Sequence, residues 1–295
     1  MRCPSLIRWR GLAKVAVLLL AMSSGAAAEP LAVDSSRVRL NTEDWTQSTI
    51  GGLEYRGGLE LTSANGCFGG LSGLDISPNG ARLLSVSDRG RWVELDLVYD
   101  DDGRLAGVGD GAIFALHGVG GRTLADSGKD AEDLARLADG RLAVSFERLH
   151  RVVLSNAAPA PGPAVRLTLP RRIAQAPGNG GIEGLTELAP GRLLALTEAL
   201  LIAGDRVVGW LLSTGGGPAA ELFFATTRGF KPTSLATLPD GDVLVLERSY
   251  SVLAGAAARL SRIDGDSIVP GALLEGTEIA RISLPLTVDN FEGLG

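Results

Sequence analysis

The sequence predicts an all-β fold, a β-propeller of five or six blades whose last blade is truncated. Three observations carry that expectation. Forty Gly and 14 Pro in 295 residues are too many for a helical bundle. Segments 72–89, 132–148, 183–199 and 233–249 share one pattern of strand, tight turn and buried strand. Their shared Leu positions, Leu74, Leu134, Leu185 and Leu235, are spaced by 60, 51 and 50 residues, and near-constant return of one unit marks a repeat architecture.

In chain order, residues 1–28 read as a secretory signal peptide. Arg2, Arg8, Arg10 and Lys14 give a cationic start, Val15 to Met22 an apolar core, and Ala26-Ala27-Ala28 a small-residue cleavage site. Eight apolar residues rise about 12 Å as a helix, short of the roughly 30 Å hydrocarbon layer. An uncleaved anchor is the competing reading. The mature domain is then 29–295, with 24 basic against 34 acidic side chains and a formal charge of −10. That balance makes a nucleic-acid partner improbable on electrostatic grounds. Cys3 leaves with the signal and Cys67 stays alone, so no intramolecular disulfide is expected and a packed core must hold the fold. Two His and two Cys exclude three-His and four-Cys metal sites within one subunit.

Each repeat opens on an apolar strand and turns at Pro78-Asn79-Gly80, Ala138-Asp139-Gly140, Pro190-Gly191 or Pro239-Asp240-Gly241. A Leu- and Val-rich strand follows and ends at an acid: Asp88, Glu147, Glu198 or Glu247. A fifth copy starts at Glu292-Gly293-Leu294, 59 residues after Leu235. Further strand-like stretches such as Arg91–Tyr99 and Gly111–Leu116 fill the intervals, giving three or four strands per roughly 50 residues, as in a propeller blade. A β-sandwich is the rival architecture, but it does not require hairpins at near-constant intervals. The Pro/Ala stretch 157–164 reads as an inter-strand loop, so one domain is expected.

Hairpin geometry places the chemistry. The start of a first strand lies beside the end of the second, so the turns share one end of the propeller and the acids share the other. First strands line the channel of a propeller, which brings Glu132, Glu183 and Glu292 towards one mouth, near Asp88-Arg89, Glu147-Arg148 and Glu247-Arg248. Converging carboxylates repel, so either their pKa values rise or a hard cation such as Ca²⁺ or Mg²⁺ is held by oxygen ligands. Two further solutions stay open. The neighbouring Arg residues pair with the acids structurally, or they hold a substrate anion.

Other motifs are weaker. Gly70-Leu71-Ser72-Gly73 fails as a nucleophile elbow because Leu74 stands where the second Gly belongs. His117 lies in a Gly-rich loop without the Lys-Ser/Thr of a P-loop. His150 reads as structural or as a general acid, Asp100-Asp101-Asp102-Gly103 as a hairpin turn, and Cys67 as a small filler.

Gly69 to Leu74, Ser87-Asp88-Arg89-Gly90, Phe146-Glu147-Arg148 and Gly181 to Leu185 resemble the phytase-like β-propeller family, also described as esterase-like activity of phytase. Gly229 to Thr233, Leu246-Glu247-Arg248 and Val288 to Leu294 extend the resemblance over about 50–294. It implies an exported hydrolase of phosphoric or carboxylic esters, with acidic side chains around Ca²⁺ and basic residues near the substrate. Members continue past Glu-Gly-Leu with two more strands and a second acidic cluster, whereas this chain ends at Gly295. A truncated record or gene product with exposed sheet edges is therefore expected. In complete relatives the stretch Gly52–Thr62 is expected to pair into the last blade.

The leading expectation is a periplasmic or secreted ester hydrolase. Glu132, Glu183 and Glu292 hold a divalent cation and its activated water, with Asp88, Glu147 and Glu247 as further ligands. Arg89, Arg148 and Arg248 bind the anionic oxygens. Its partner is a small anionic or ester substrate; no organic cofactor, nucleic acid or membrane span after signal cleavage is expected, and the protein is read as a monomer. A non-catalytic envelope scaffold is one competitor. A lactonase-like propeller with one central Ca²⁺ and a neutral rim is the other.

Overall fold

A computed structural model describes residues 28–156, 164–227 and 229–295. The signal segment, apart from Ala28, and the Pro/Ala stretch, apart from Ala164, lie outside the described residues. Among those described, no helix is long and apolar enough to cross a membrane.

Each of the four repeats builds one antiparallel blade. Blade I runs outward through Leu71–Ile76, Arg82–Ser87, Arg91–Tyr99 and Leu105–Ala115, and Glu29–Leu31 pairs on its outer edge. Blade II comprises Ala131–Arg136, Leu142–Phe146, Arg151–Ser155 and Val165–Arg166. Blade III comprises Ile182–Ala189, Arg192–Ile202, Arg206–Ser213 and Ala220–Ala225, with Leu273–Leu274 added in parallel outside. Blade IV comprises Lys231–Thr237, Val243–Ser251, Gly255–Ile263 and Thr277–Ser283. The all-β propeller architecture expected from the repeats is present. Four blades form among the described residues, against the five or six expected. The fifth repeat, Glu292-Gly293-Leu294, forms no strand, and the Leu294 N–H donates to Ser234 Oγ at 3.0 Å. Gly58–Thr62 pairs with Asp34–Val38 in a separate two-stranded sheet.

The turns form because their residues supply the needed backbone. Gly80 and Gly140 take φ of 71° and 86°, open to glycine at no steric cost. Asn79 Oδ1 accepts from the Ala81 N–H, and Asp139 Oδ1 from the Arg141 N–H. The strands between are buried on both faces, which is why they read as continuous apolar runs. All five residues of Leu142–Phe146 are buried. Trp92, Phe114 and Phe146 pack blade I on blade II, Leu154, Leu185 and Trp210 pack II on III, and Leu196, Phe224 and Val245 pack III on IV.

Two features of the inner strands position the site. A register shift interrupts the first hairpin of every blade at the same place: Leu71/Leu74, Ala131/Leu134, Ile182/Gly184 and Pro232/Ser234. Such bulges re-aim side chains, and here they fall at Ser72, Glu132, Glu183 and Thr233. The second feature is Asp133, fully buried between the inner strands of blades II, III and IV. It accepts from Leu134 N–H at 2.9 Å, Leu185 N–H at 2.8 Å, Ser234 Oγ at 3.1 Å and Leu235 N–H at 3.4 Å, so one carboxyl ties blades II, III and IV.

Candidate functional site

At the channel mouth opposite the turns, a cavity of about 360 Å³ gathers Asp88, Asp130, Glu132, Glu147, Glu183, Glu198 and Glu292 with Arg148, Lys231, Arg248, Ser72 and Asn179. Seven carboxylates face three cations. Asp130, Glu132 and Glu147 each offer an oxygen within 4.8 Å of the others. Glu147 is anchored by the Gly181 N–H at 3.0 Å. Arg148 reaches Asp130 at 2.6 Å from a backbone with φ 54°, a conformation rarely adopted by side-chain-bearing residues.

The far side of the mouth is charge-interleaved. Lys231 Nζ lies 3.1 Å from Glu198, and Arg248 lies 3.7 Å from Glu198 and 3.4 Å from Glu292. Asn290 bonds both Arg248 and Glu292. The mouth is therefore a crowded acid set on the side of blade II and a network of paired charges on the side of blade IV.

Burial and crowding shift the acids. Burial first, then the neighbouring charges of Glu147, Asp130 and Glu292, push Glu132 up to about 8. Burial also drives Glu183 well above the usual carboxylate range, reinforced by Glu198 and Glu132 and by a carboxyl–carboxyl hydrogen bond with Glu147. Glu292 and Asp88 are raised by burial against the opposing pull of Arg248 and Arg89.

Of the residues expected from sequence, Asp88, Glu132, Glu147, Glu183, Glu292, Arg148 and Arg248 line this cavity. Glu183 and Glu292 lie outside the close set that Glu132 forms with Asp130 and Glu147. Two residues point elsewhere. Glu247 is fully buried and ion-paired with Arg259, which also holds Glu278 at 2.9 Å, so its carboxylate is spent inside blade IV. Arg89 donates to the carbonyls of Gly66 and Phe68 at 3.0 and 2.8 Å, bracing a loop.

Sequence reading passed over Asp130, Asn179 and Lys231. A signal existed for two of them. Gly70, Asp130, Gly181, Lys231 and Asn290 all stand two residues before the strand-start residues Ser72, Glu132, Glu183, Thr233 and Glu292. Aligning the repeats at that position exposes an acid, a cation and an amide among glycines. Asn179 lies in a connecting loop and carries no such mark.

The donor set is all oxygen, which suits a hard cation such as Ca²⁺ or Mg²⁺ rather than a thiophilic metal. The mutual repulsion registered by Glu132 is what a bound cation would relieve, so the residues fit such an ion.

A family model described as phytase-like, esterase-like activity of phytase, matches residues 67–295. No curated protein matches the sequence. Among solved structures, virginiamycin B lyase from Staphylococcus aureus is 14% identical at a TM-score of 0.42, covering 75% of this chain and 59% of that one. The β-propeller domain of Cps50 (Swd1) from Myceliophteria thermophila is 16% identical at 0.40, with 71% and 59% covered. A 6-phosphogluconolactonase candidate from Bacteroides uniformis is 11% identical at 0.37, with 72% and 57% covered. The chain thus spans under two thirds of each, and at these TM-scores the likenesses carry no function across. The match over 67–295, together with the repeated strand-start motifs that line the acidic mouth, establishes that the chain belongs to the phytase-like family, esterase-like activity of phytase.

Proposed function

We propose that this protein is an exported, divalent-cation-dependent hydrolase of phosphoric or carboxylic esters. The observation that carries the reading is the set Asp130, Glu132 and Glu147, whose oxygens lie within 4.8 Å of one another beside Arg148, Lys231 and Arg248 in one cavity. These three carboxylates would hold the cation, which when bound would polarise an ester oxygen and lower the pKa of water. Arg248 and Lys231 orient the ester across the mouth, because both project into the cavity from the opposite wall. Glu183, whose carboxyl is pushed above its ordinary range by burial and the neighbouring acids, is the group placed to give a proton to a leaving oxygen. The raised pKa of Glu132 makes cation binding compete with protons, so affinity increases with pH. Export rests on the sequence of residues 1–28, and a periplasmic or secreted monomer is the form proposed.

One observation favours a non-catalytic scaffold instead: Glu198 lies between Lys231 and Arg248, as in a network that closes a propeller. The test compares melting of the full chain in EDTA, Ca²⁺ and Mg²⁺ with turnover of aryl phosphate and aryl acetate esters. Saturating cation at 100 times Kd adds about 2.7 kcal/mol to stability, so a rise in Tm of several degrees with cation-dependent turnover is expected. Unchanged Tm in every cation with no turnover of either ester overturns the hydrolase and leaves the scaffold; turnover by Asp130→Asn and Glu147→Gln at the wild-type rate overturns the cation's part in it.

A further inference from the structure

A second cavity of about 540 Å³ adjoins the acidic mouth and shares Glu198, Lys231 and Arg248 with it. Tyr250, Ala256 and Asn290 form further parts of its wall. Its volume suits a drug-sized organic group. Its charges balance, with Lys231 and Arg248 against Glu198 and Asp289. Both cations already have carboxylate partners, at 3.1 Å for Lys231 and 3.4 Å for Arg248. No surplus positive charge remains to hold a polyanion. The adjoining mouth carries four more carboxyl groups than cations, so even with protons held on its raised acids and one divalent ion bound it offers no surplus positive charge.

The rim points the same way. Tyr250 lines the cavity and is 78% exposed; Val252 and Leu253, two and three residues on, are 90% and 100% exposed at the tip of the Val243–Ser251/Gly255–Ile263 hairpin. Ala256 pairs directly opposite Tyr250, a small residue that leaves room beside the ring. Exposed apolar groups gathered beside a cavity mark a binding surface.

We infer that the substrate is a carboxylic ester or lactone whose bulk is uncharged and apolar, seated against Tyr250 with its ester group at the Lys231–Arg248 boundary, rather than a polyphosphorylated sugar or inositol. This rests on the hydrolase reading and narrows it. Water adds to the acyl carbon, the acyl–oxygen bond breaks, and the proton of the water passes to the departing alkoxide; one ester and one water give one acid and one alcohol. Dianionic phosphate groups (about −1.5 to −2 each) would instead enter a mouth with no surplus positive charge to receive them.

The experiment uses the full chain in Ca²⁺ and compares kcat/KM for naphthyl butyrate, naphthyl phosphate and fructose 1,6-bisphosphate. Calorimetry of the neutral ketone 2-acetonaphthone reads binding without chemistry. The butyrate is expected to exceed the phosphate at least tenfold, and the ketone to bind about tenfold more weakly to Tyr250→Ser, whose Ca²⁺-induced rise in Tm shows that it folds. A preference for either phosphate, or no ketone binding by the wild-type protein, overturns the inference. The two readings fail separately. Turnover of phosphates alone keeps the hydrolase and removes the apolar subsite; absent turnover with ketone binding lost in Tyr250→Ser removes the hydrolase and keeps the subsite.

Discussion

Glu132 shows how position alone changes a carboxyl group. Its sequence neighbours are Ala131 and Asp133, yet its proton is held by burial and by Glu147, Asp130 and Glu292. The native group titrates near 8 against an ordinary 4.5, so the metal-free native state keeps a proton that the unfolded chain releases. Stability from this group is full below pH 4.5 and is lost as pH rises through 8. Glu183 acts in the same direction. The surface acids Asp126, Asp139 and Asp242, whose pKa values are lowered by ion pairs and hydrogen bonds, are already ionised throughout that window. Melting in EDTA is therefore expected to peak near pH 5 and fall towards pH 8.5. Glu132→Gln, which cannot ionise, flattens the fall and diminishes the Ca²⁺ response; parallel wild-type and variant profiles would refute the assignment. The sequence placed Glu132 among converging acids whose pKa values rise unless a cation is held; it did not show which neighbours crowd it, because Glu147 and Glu292 stand 15 and 160 residues further along the chain.

At the scale of elements, the hairpins were legible and their irregularities were not. Asn, Asp and Gly mark the turns through local hydrogen bonds and backbone freedom, and the returning Leu fixes the period. The bulge at each inner strand depends on what the neighbouring blade presents. Gly73 is the clearest case. A Cβ there would lie 2.4 Å from the Leu134 nitrogen and 2.5 Å from the Asp133 Cα, backbone of the adjacent blade that cannot swing aside. Gly73→Ala is expected to cost about 1–3 kcal/mol by overpacking, lowering Tm by a few degrees for each kcal/mol in a domain of this size. A thermal melt checks it, and an unchanged Tm would show that the blades are not in contact there. Glu247 and Arg89 carry the converse lesson. Both belong to acid–arginine pairs identical in pattern to Glu147-Arg148, and only packing against Arg259 and the 66–68 loop takes them out of the mouth.

Across the whole molecule, Asp133 joins three blades through donors alone: three backbone N–H groups and the Ser234 hydroxyl, itself a receiver of the Leu294 N–H. Burial pushes its carboxyl well above the ordinary range while Leu185, Leu134 and Ser234 pull it back. An amide in its place sets an N–H₂ against N–H groups that need an acceptor. Asp133→Asn is thus expected to lose roughly 1–3 kcal/mol, the usual cost of stranding buried polar groups, measured by chemical denaturation. A neutral result would mean that packing between the blades holds the channel without this tie.

Hydrophobic runs, turn residues and a 50- to 60-residue period are written locally, so the chain alone declares an all-β repeat with its acids at one end of each hairpin. Which acids meet is a long-range matter. Glu132 and Asp133 are adjacent in sequence, and across the bulge between Ala131 and Leu134 one lines the mouth while the other is buried against the inner strands of the next blades. The pairing of Glu198 with Lys231 and Arg248, and of Arg248 with Glu292, spans 33 to 50 residues of sequence. Charge separations of that length are set by how blades pack, and packing alone distinguishes a carboxylate crowded among acids from one already neutralised.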